Sequence, residues 1–298
     1  MRHLLAIIIS GSLLGVWACS HIDNAPLSIQ TYTAAAPAAM ANSHLIMGKR
    51  EAILVDVVMT RSEAVKLADM VKQSGRALKM IFITHAHPDH FLGLDVLSER
   101  FPEARIVATD SVVTGIQKTG PGPVERLRAR LGENGPARLI VPEPATTDEL
   151  DLEGTEIRVI TFSKGESEHA AALYISGTHD FFAGDLIYHR THLFLREKRI
   201  AGWLQQLDKI AEIDGIKTIY PGHGPKTDLS VIASMRAYLH DFSAAIKCGS
   251  AEEATQKIKR CWRNIRITPC RYFCEITACP VSFRQQGSSL LQTFRFLG

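Results

Sequence analysis

No sign of charge dominates this chain. Its 34 lysines and arginines stand against 31 aspartates and glutamates, a formal net charge of +3 at pH 7 with histidine neutral. Acids and bases are interspersed, which leaves no electrostatic footprint for a nucleic-acid backbone. There is no internal repeat, which argues against solenoids and propellers. The apolar run from Leu4 to Trp17 is too short for an ordinary membrane-spanning helix. Nor is there room for a large inserted domain, since 298 residues suit one α/β domain with extra segments.

What is present is a dense run of metal-ligand side chains. Thr84-His85-Ala86-His87-Pro88-Asp89-His90 packs three imidazoles and a carboxylate into six residues, directly after an apolar run. That run, LKMIFIT from Leu78, reads as a buried strand. Pro88 suits the first turn of a helix, continued by Phe91, Leu92, Leu94 and Leu97 at helical intervals. In an extended segment, side chains two apart point the same way, so His85 and His87 can grip one ion. Asp89 and His90, on helical geometry, would project to a neighbouring point, which suggests two adjacent metal positions.

Divalent ions held by nitrogen and oxygen need about four to six donors. Three later places offer them, each at the end of a strand-like run: Glu168-His169 after IRVITF, Gly184-Asp185 after HDFFA, and Pro221-Gly222-His223-Gly224 after KTIY. Glycines beside Asp185 and His223 let the backbone turn tightly and approach an ion.

With HxHxDH, a later His, a Gly-Asp and a PGHG in this order, the chain resembles the metallo-β-lactamase-fold superfamily over roughly residues 40 to 245. The resemblance implies a four-layer αβ/βα sandwich of class α/β, with a dinuclear site at one edge of its two sheets. It implies that His85, His87 and His169 bind a first metal, that Asp89, His90 and His223 bind a second, and that Asp185 bridges them. Two divalent ions are the expected cofactors, with zinc the expected metal. Such a pair would make hydroxide available near neutral pH and polarise a carbonyl or phosphoryl oxygen. Asp89 could orient that hydroxide and pass its proton to the leaving group.

Two departures bear on the activity. The best-known antibiotic-degrading members lack the bridging Asp, so Asp185 points toward the branch that resembles glyoxalase II and acyl-homoserine lactonases. The third ligand of that branch usually lies in a segment like PGHTxGH, whereas this chain has SKGESEHAAALYI, in which His169 is the only histidine. The expectation is a hydrolase that cleaves an ester, lactone, thioester or amide of a small-molecule substrate. The alternatives are a mononuclear iron sulfur dioxygenase, a β-lactamase, or a non-catalytic metal-binding lipoprotein.

Tyr188, three residues after Asp185, matches a tyrosine that lactonases place beside the substrate carbonyl, where a phenol could donate to a developing oxyanion. It could equally pack on the core. His189 and His192 could line the pocket, and Trp203 could close a wall. Asp56, ending the run AILVD, could orient a metal histidine or simply terminate a strand.

The first 19 residues read as a bacterial export signal, and Val16-Trp17-Ala18-Cys19 resembles a lipobox. The expected location is therefore periplasmic, or membrane-anchored through a lipidated Cys19. Residues 20–41 read as a linker, 42–247 as the metal-binding domain, and 248–298 as a helix followed by an atypical tail. From Cys261 onward that tail holds four of the six cysteines and five arginines against a single acid, Glu275. It would form disulfides or a metal clip, or else reflect a reading-frame change. Within the domain, a hairpin turns at Gly48-Lys49-Arg50 and Thr60-Arg61-Ser62-Glu63 reads as a capping box for a helix to about Gln73. Residues 110 to 135 read as two helical pieces broken at Gly120-Pro121-Gly122-Pro123, a candidate lid.

Overall fold

The computed structural model describes residues 27–245, 247 and 251–262. The expected export signal with Cys19, together with Cys248, Cys270, Cys274 and Cys279 of the tail, lies outside these residues. Among the described residues, no helix is long and apolar enough to cross a membrane.

Two sheets face each other. The first has six strands in sequence order: β1 (Ser28–Thr33), β2 (Asn42–Met47), β3 (Glu51–Val55), β4 (Ala77–Phe82), β5 (Arg105–Ala108) and β6 (Glu143–Pro144). Its first three strands pair antiparallel, and pairing is parallel from β3 onward. The second sheet comprises β7 (Glu149–Leu152), β8 (Thr155–Ser163), β9 (His169–Ile175), β10 (Asp180–Tyr188) and β11 (Thr218–His223), in the order β11-β10-β9-β8-β7. Only the β10 and β11 pair is parallel there.

Strand periodicity sorts the side chains into layers. Along β3, Ile53 and Val55 join Phe82, Leu173 and Phe182 between the two sheets. Ala52 and Leu54 point the other way, into a core shared with α1 (Arg61–Gln73), α3 (Leu94–Arg100), α4 (Asp110–Thr119) and α5 (Pro121–Leu131). On the far side, Phe181 and Ala183 of β10 pack with α6 (Ile200–Ala211), α7 (Val231–Ala245) and α8 (Ala251–Cys261). The result is the expected αββα sandwich, whose functional loops gather where the strands of both sheets end.

Two local expectations fail for tertiary reasons. Residues 28–33, assigned to a linker on composition, form edge strand β1 against β2. The capping box does not close, because Thr60 makes no side-chain cap to α1. Glu63 instead accepts from the Tyr32 hydroxyl at 2.7 Å and the Ala35 amide at 2.9 Å, tying the β1 segment to the first helix. The break at Gly120 does separate α4 from α5, as the sequence suggests.

Candidate metal centre

Each functional loop is held by its own backbone device. After β4 the chain runs on to His85, bends at Ala86, is extended again at His87 and then enters a single helical turn, α2 (Pro88–Phe91), with Pro88 at its start. Thr84 O accepts from the Ala171 amide at 2.8 Å, which joins the two sheets directly beneath the histidines. Asp185 comes from the middle of β10, where the register with β11 shifts on both sides of Gly184. Gly184 has φ of +51°, and a Cβ there would lie 2.6 Å from Thr84 Oγ1, so only glycine fits. His223 ends β11. Asn42 Nδ2 donates to Pro221 O at 2.9 Å and to Gly224 O at 2.7 Å, which fixes the Pro-Gly-His-Gly turn from β2 of the other sheet. A side chain on Gly222 would run into the Asp185 carboxylate.

These devices bring six of the seven expected residues together. His85, His87 and Asp185 share one group of mutually close donor atoms, and Asp89, His90 and His223 share another. Asp185 lies between the two groups. Its oxygens stand 3.6 Å from His85 Nε2, 3.1 Å from His90 Nε2 and 3.4 Å from His223 Nε2.

His169 is the exception. Among the described residues it belongs to no such group. It pairs with Ser163 in the β8 and β9 ladder, so its place is in the sheet. Glu166, carried on the tight turn just before β9, occupies the position instead. Its carboxylate lies 3.2 Å from His87 Nδ1 and 3.9 Å from His85 Nε2, and the residue is only 2% exposed. A search confined to histidine passes over it. The usable signal is Gly165-Glu166-Ser167, which can be laid on the Gly-His-Thr of the PGHTxGH pattern.

Several of these atoms have no other employment. His85 Nε2, both oxygens of Glu166 and Asp185 Oδ1 are buried without a hydrogen-bond partner among the described residues. Buried polar atoms are nearly always partnered, so a set of orphans aimed at one another fits a cation. Imidazole and carboxylate donors at these two points suit divalent ions.

The electrostatics agree. Burial works to lower the pKa of His223, but the facing Asp185 and Asp89 carboxylates outweigh it and raise it to about 9. His87 and His90 are raised in the same way, burial opposing and the carboxylates of Glu166 and Asp185 prevailing. Burial pushes the Asp89 and Asp185 carboxyls up, yet the neighbouring histidines hold both below the usual range. Protons on the imidazoles and divalent ions therefore compete for the same carboxylates.

Asp56 is a supporting residue. It sits just past β3 at φ of +59°, a left-handed conformation that Asp tolerates better than most residues. Its Oδ1 accepts from the Thr84 amide at 2.7 Å, and its Oδ2 accepts from the Thr84 hydroxyl at 2.7 Å and from His90 Nδ1 at 2.9 Å. A carboxylate only accepts, so His90 carries a proton on Nδ1, which leaves Nε2, facing Asp185, as the nitrogen that can give up its proton to an ion. The Thr84 hydroxyl, spent on Asp56, can only accept from His85 Nδ1 at 3.0 Å. One carboxylate thus sets the tautomer of two histidines.

The centre forms one end of a cavity of about 450 Å³ that includes His87, Asp89, Asp185, Tyr188 and His223 in its lining. Tyr188 reaches it, but its hydroxyl donates to Asp185 Oδ2 at 2.6 Å and its ring stacks on His223 with centroids 4.9 Å apart. His192 also lines the cavity, with Nδ1 2.8 Å from the Tyr238 hydroxyl. His189 Nδ1 faces Pro225 O at 2.9 Å instead, on the outside of the Pro-Gly-His-Gly turn. Trp203 closes no wall; it is buried in the second core and donates to Leu186 O at 2.9 Å. α5 forms one wall through Pro123, Arg126, Leu127 and Arg130.

An αββα sandwich with paired His and carboxylate clusters at its loop edge is a metal-binding architecture of a kind that mostly serves hydrolysis. A family model described as "Metallo-beta-lactamase superfamily" matches residues 36–223. The chain belongs to that superfamily. Among solved structures, a metallo-beta-lactamase family protein from Thermus thermophilus superposes with a TM-score of 0.60 at 20% identity, over 84% of this chain and 90% of that one. A metallo-beta-lactamase from Pontibacter korlensis gives a TM-score of 0.56 at 16% identity, over 72% of this chain and 99% of that one. At such identities the likeness is one of fold. Hydroxyacylglutathione hydrolase 1 of Vibrio vulnificus (strain YJ016) is 25% identical over 144 residues, 48% of this chain and 46% of that protein. Uncharacterized protein YobT of Bacillus subtilis (strain 168) is 33% identical over 69 residues, 23% of this chain and 29% of that protein. The chain thus spans less than half the length of either relative.

Proposed function

We propose that the protein is a metal-dependent hydrolase that cleaves an ester, lactone, thioester or amide bond at this centre. The observation that carries the proposal is the convergence of four imidazoles and three carboxylates, several with no other partner, at one end of a cavity. His85, His87, Glu166 and Asp185 would hold one divalent ion, and Asp89, His90, His223 and Asp185 the other. When bound, such a pair supplies hydroxide near neutral pH and polarises the scissile carbonyl.

The chain's own residues do the rest. Asp89 is kept ionised by His90 and His223, so its carboxylate can accept the nucleophile's proton and return it to the leaving group. Tyr188, with its hydroxyl committed to Asp185, acts as a positioning residue for that shared carboxylate rather than as a free oxyanion donor. Arg126, Arg130 and Arg196 line the same cavity as Leu127, Leu193 and Phe194. This mixture suits a small acyl substrate that has an apolar body and an anionic group. The relationship to hydroxyacylglutathione hydrolase is in keeping with a thioester or ester rather than a dedicated β-lactam. Export, with attachment through Cys19, is proposed on the N-terminal residues alone.

Metal analysis and assays on matched thioester, lactone, ester, β-lactam and phosphodiester panels test the reading. The expected result is two ions per chain with turnover of a carbonyl substrate. Full metal loading without turnover of any member would refute it.

A further inference from the structure

Glu166 changes the kind of metal centre this is. The expected ligand set has three imidazoles and the shared Asp at the first position, against two imidazoles, one carboxylate and the shared Asp at the second. The observed set is matched. Each position has two histidines and one carboxylate of its own, His85, His87 and Glu166 in one case and His90, His223 and Asp89 in the other, around Asp185.

The turn that presents Glu166 is anchored independently of its carboxylate. The Lys164 amide donates to Glu168 O at 2.9 Å, and the Gly165 amide donates to Ser167 O at 3.1 Å. Gly165 lies against α6, where a Cβ would meet Gln206 Cγ at 3.0 Å. The backbone therefore delivers a buried carboxylate that has no near polar side chain but the two histidines, an arrangement that is costly unless a cation answers it. The ion-pair partners within reach are His85 and His87, both of which face the same point.

Resting on the two-ion reading above, we propose that Glu166 is the third protein donor of the first metal position, and that the matched sets shift metal selectivity from zinc toward iron(II) or manganese(II). The physical ground is donor hardness. Carboxylate oxygen suits manganese, while two histidines with one carboxylate is the familiar donor set for non-haem iron(II); replacing an imidazole by a carboxylate therefore removes part of zinc's advantage. The added anion also balances charge. Two dications against three carboxylates leave one positive charge, which a single hydroxide neutralises.

The test is chelator-competition titration of the metal-stripped full chain with zinc and, separately, with manganese, on the wild type, Glu166→His, Glu166→Gln and His169→Ala. Circular dichroism establishes that each variant is folded. The expected results are two ions in the wild type and at least a tenfold rise in the zinc-to-manganese affinity ratio in Glu166→His. Glu166→Gln should bind one ion at least tenfold more weakly, and His169→Ala should match the wild type. Two ions bound by Glu166→Gln with unchanged affinities, or an unchanged ratio in Glu166→His, overturns the assignment of Glu166 alone. A wild type that takes up fewer than two ions overturns the two-ion reading itself. If the glutamate variants do not fold, loss of an ion in His169→Ala returns the position to His169 and refutes the proposal, whereas full loading supports it.

Discussion

A single-atom change at Asp56 should disarm the metal centre while leaving the fold nearly intact. In Asp56→Asn the amide oxygen can keep the bond from the Thr84 amide, now 2.7 Å long. The NH2 group then stands where Oδ2 accepted from the Thr84 hydroxyl and from His90 Nδ1. Its two hydrogens donate to those same atoms, so both bonds survive with their direction reversed. His90 must then carry its proton on Nε2. The Thr84 hydroxyl, freed of Asp56, donates to His85 Nδ1, and His85 moves its proton to Nε2 as well. In each ring the nitrogen that must offer its lone pair to an ion then carries the fixed proton instead.

The cost to stability is small, because no buried group loses its partner; about 1 kcal/mol is expected for exchanging charged for neutral hydrogen bonds. The cost to metal affinity is large, about 10- to 100-fold at each position, since one ligand of each has the wrong tautomer. Asp56→Ala should behave oppositely in proportion. It strands the Thr84 amide and the His90 ring in a dry site, for a loss of about 3 kcal/mol and a fall in melting temperature of about 10 °C. Thermal unfolding of the metal-free proteins and chelator competition on the same samples measure the two quantities. Wild-type affinity for both ions in Asp56→Asn would falsify the tautomer argument, as would an affinity loss no larger than the stability loss.

Asp185→Ala removes the carboxylate that lies between the two groups. It should bind no more than one ion tightly and lose most activity, and two tight ions in that variant would defeat the bridging assignment. His223 has its pKa raised to about 9 by Asp185 and Asp89. Its proton is therefore retained through neutrality and must leave when an ion binds. Displacing the His223 proton should make apparent metal affinity climb by up to about tenfold per pH unit between pH 7 and about 9, with proton release detectable by calorimetry in buffers of different ionisation enthalpy. A flat profile would show that His223 is not displaced from its proton. Arg126→Ala should raise KM about tenfold for carboxylate-bearing substrates and leave neutral analogues unchanged. Equal effects on both would show that the arginine only shapes the wall.

The sequence is most legible where chemistry is concentrated. His85 to His90 stand out because a packed core has no use for three imidazoles in six residues, and Asp185 and His223 are flagged by glycines that the backbone cannot replace. Asp56 was readable only as a choice between two roles, since the partners that decide it, Thr84 and His90, are remote in sequence. Glu166 is not legible in the sequence because a carboxylate in a polar turn looks like ordinary surface, and burial is what distinguishes it. β1 was hidden by its composition: SIQTYT is an edge strand with mostly exposed side chains and no apolar run to betray it. The capping box failed because Tyr32, about thirty residues away, claims the glutamate that local pattern assigns to the helix end.

The donors of each group are divided between the two sheets. Those from His85 to His90 follow a strand of the first, while Glu166, Asp185 and His223 belong to the second or to its turns. Neither half alone carries a full set, and the segments are more than a hundred residues apart at the extremes. Tight metal capture is therefore a late event in the life of the chain, following the docking of the sheets. A chain whose sheets have not docked should therefore hold neither ion tightly, whichever metal is offered to it.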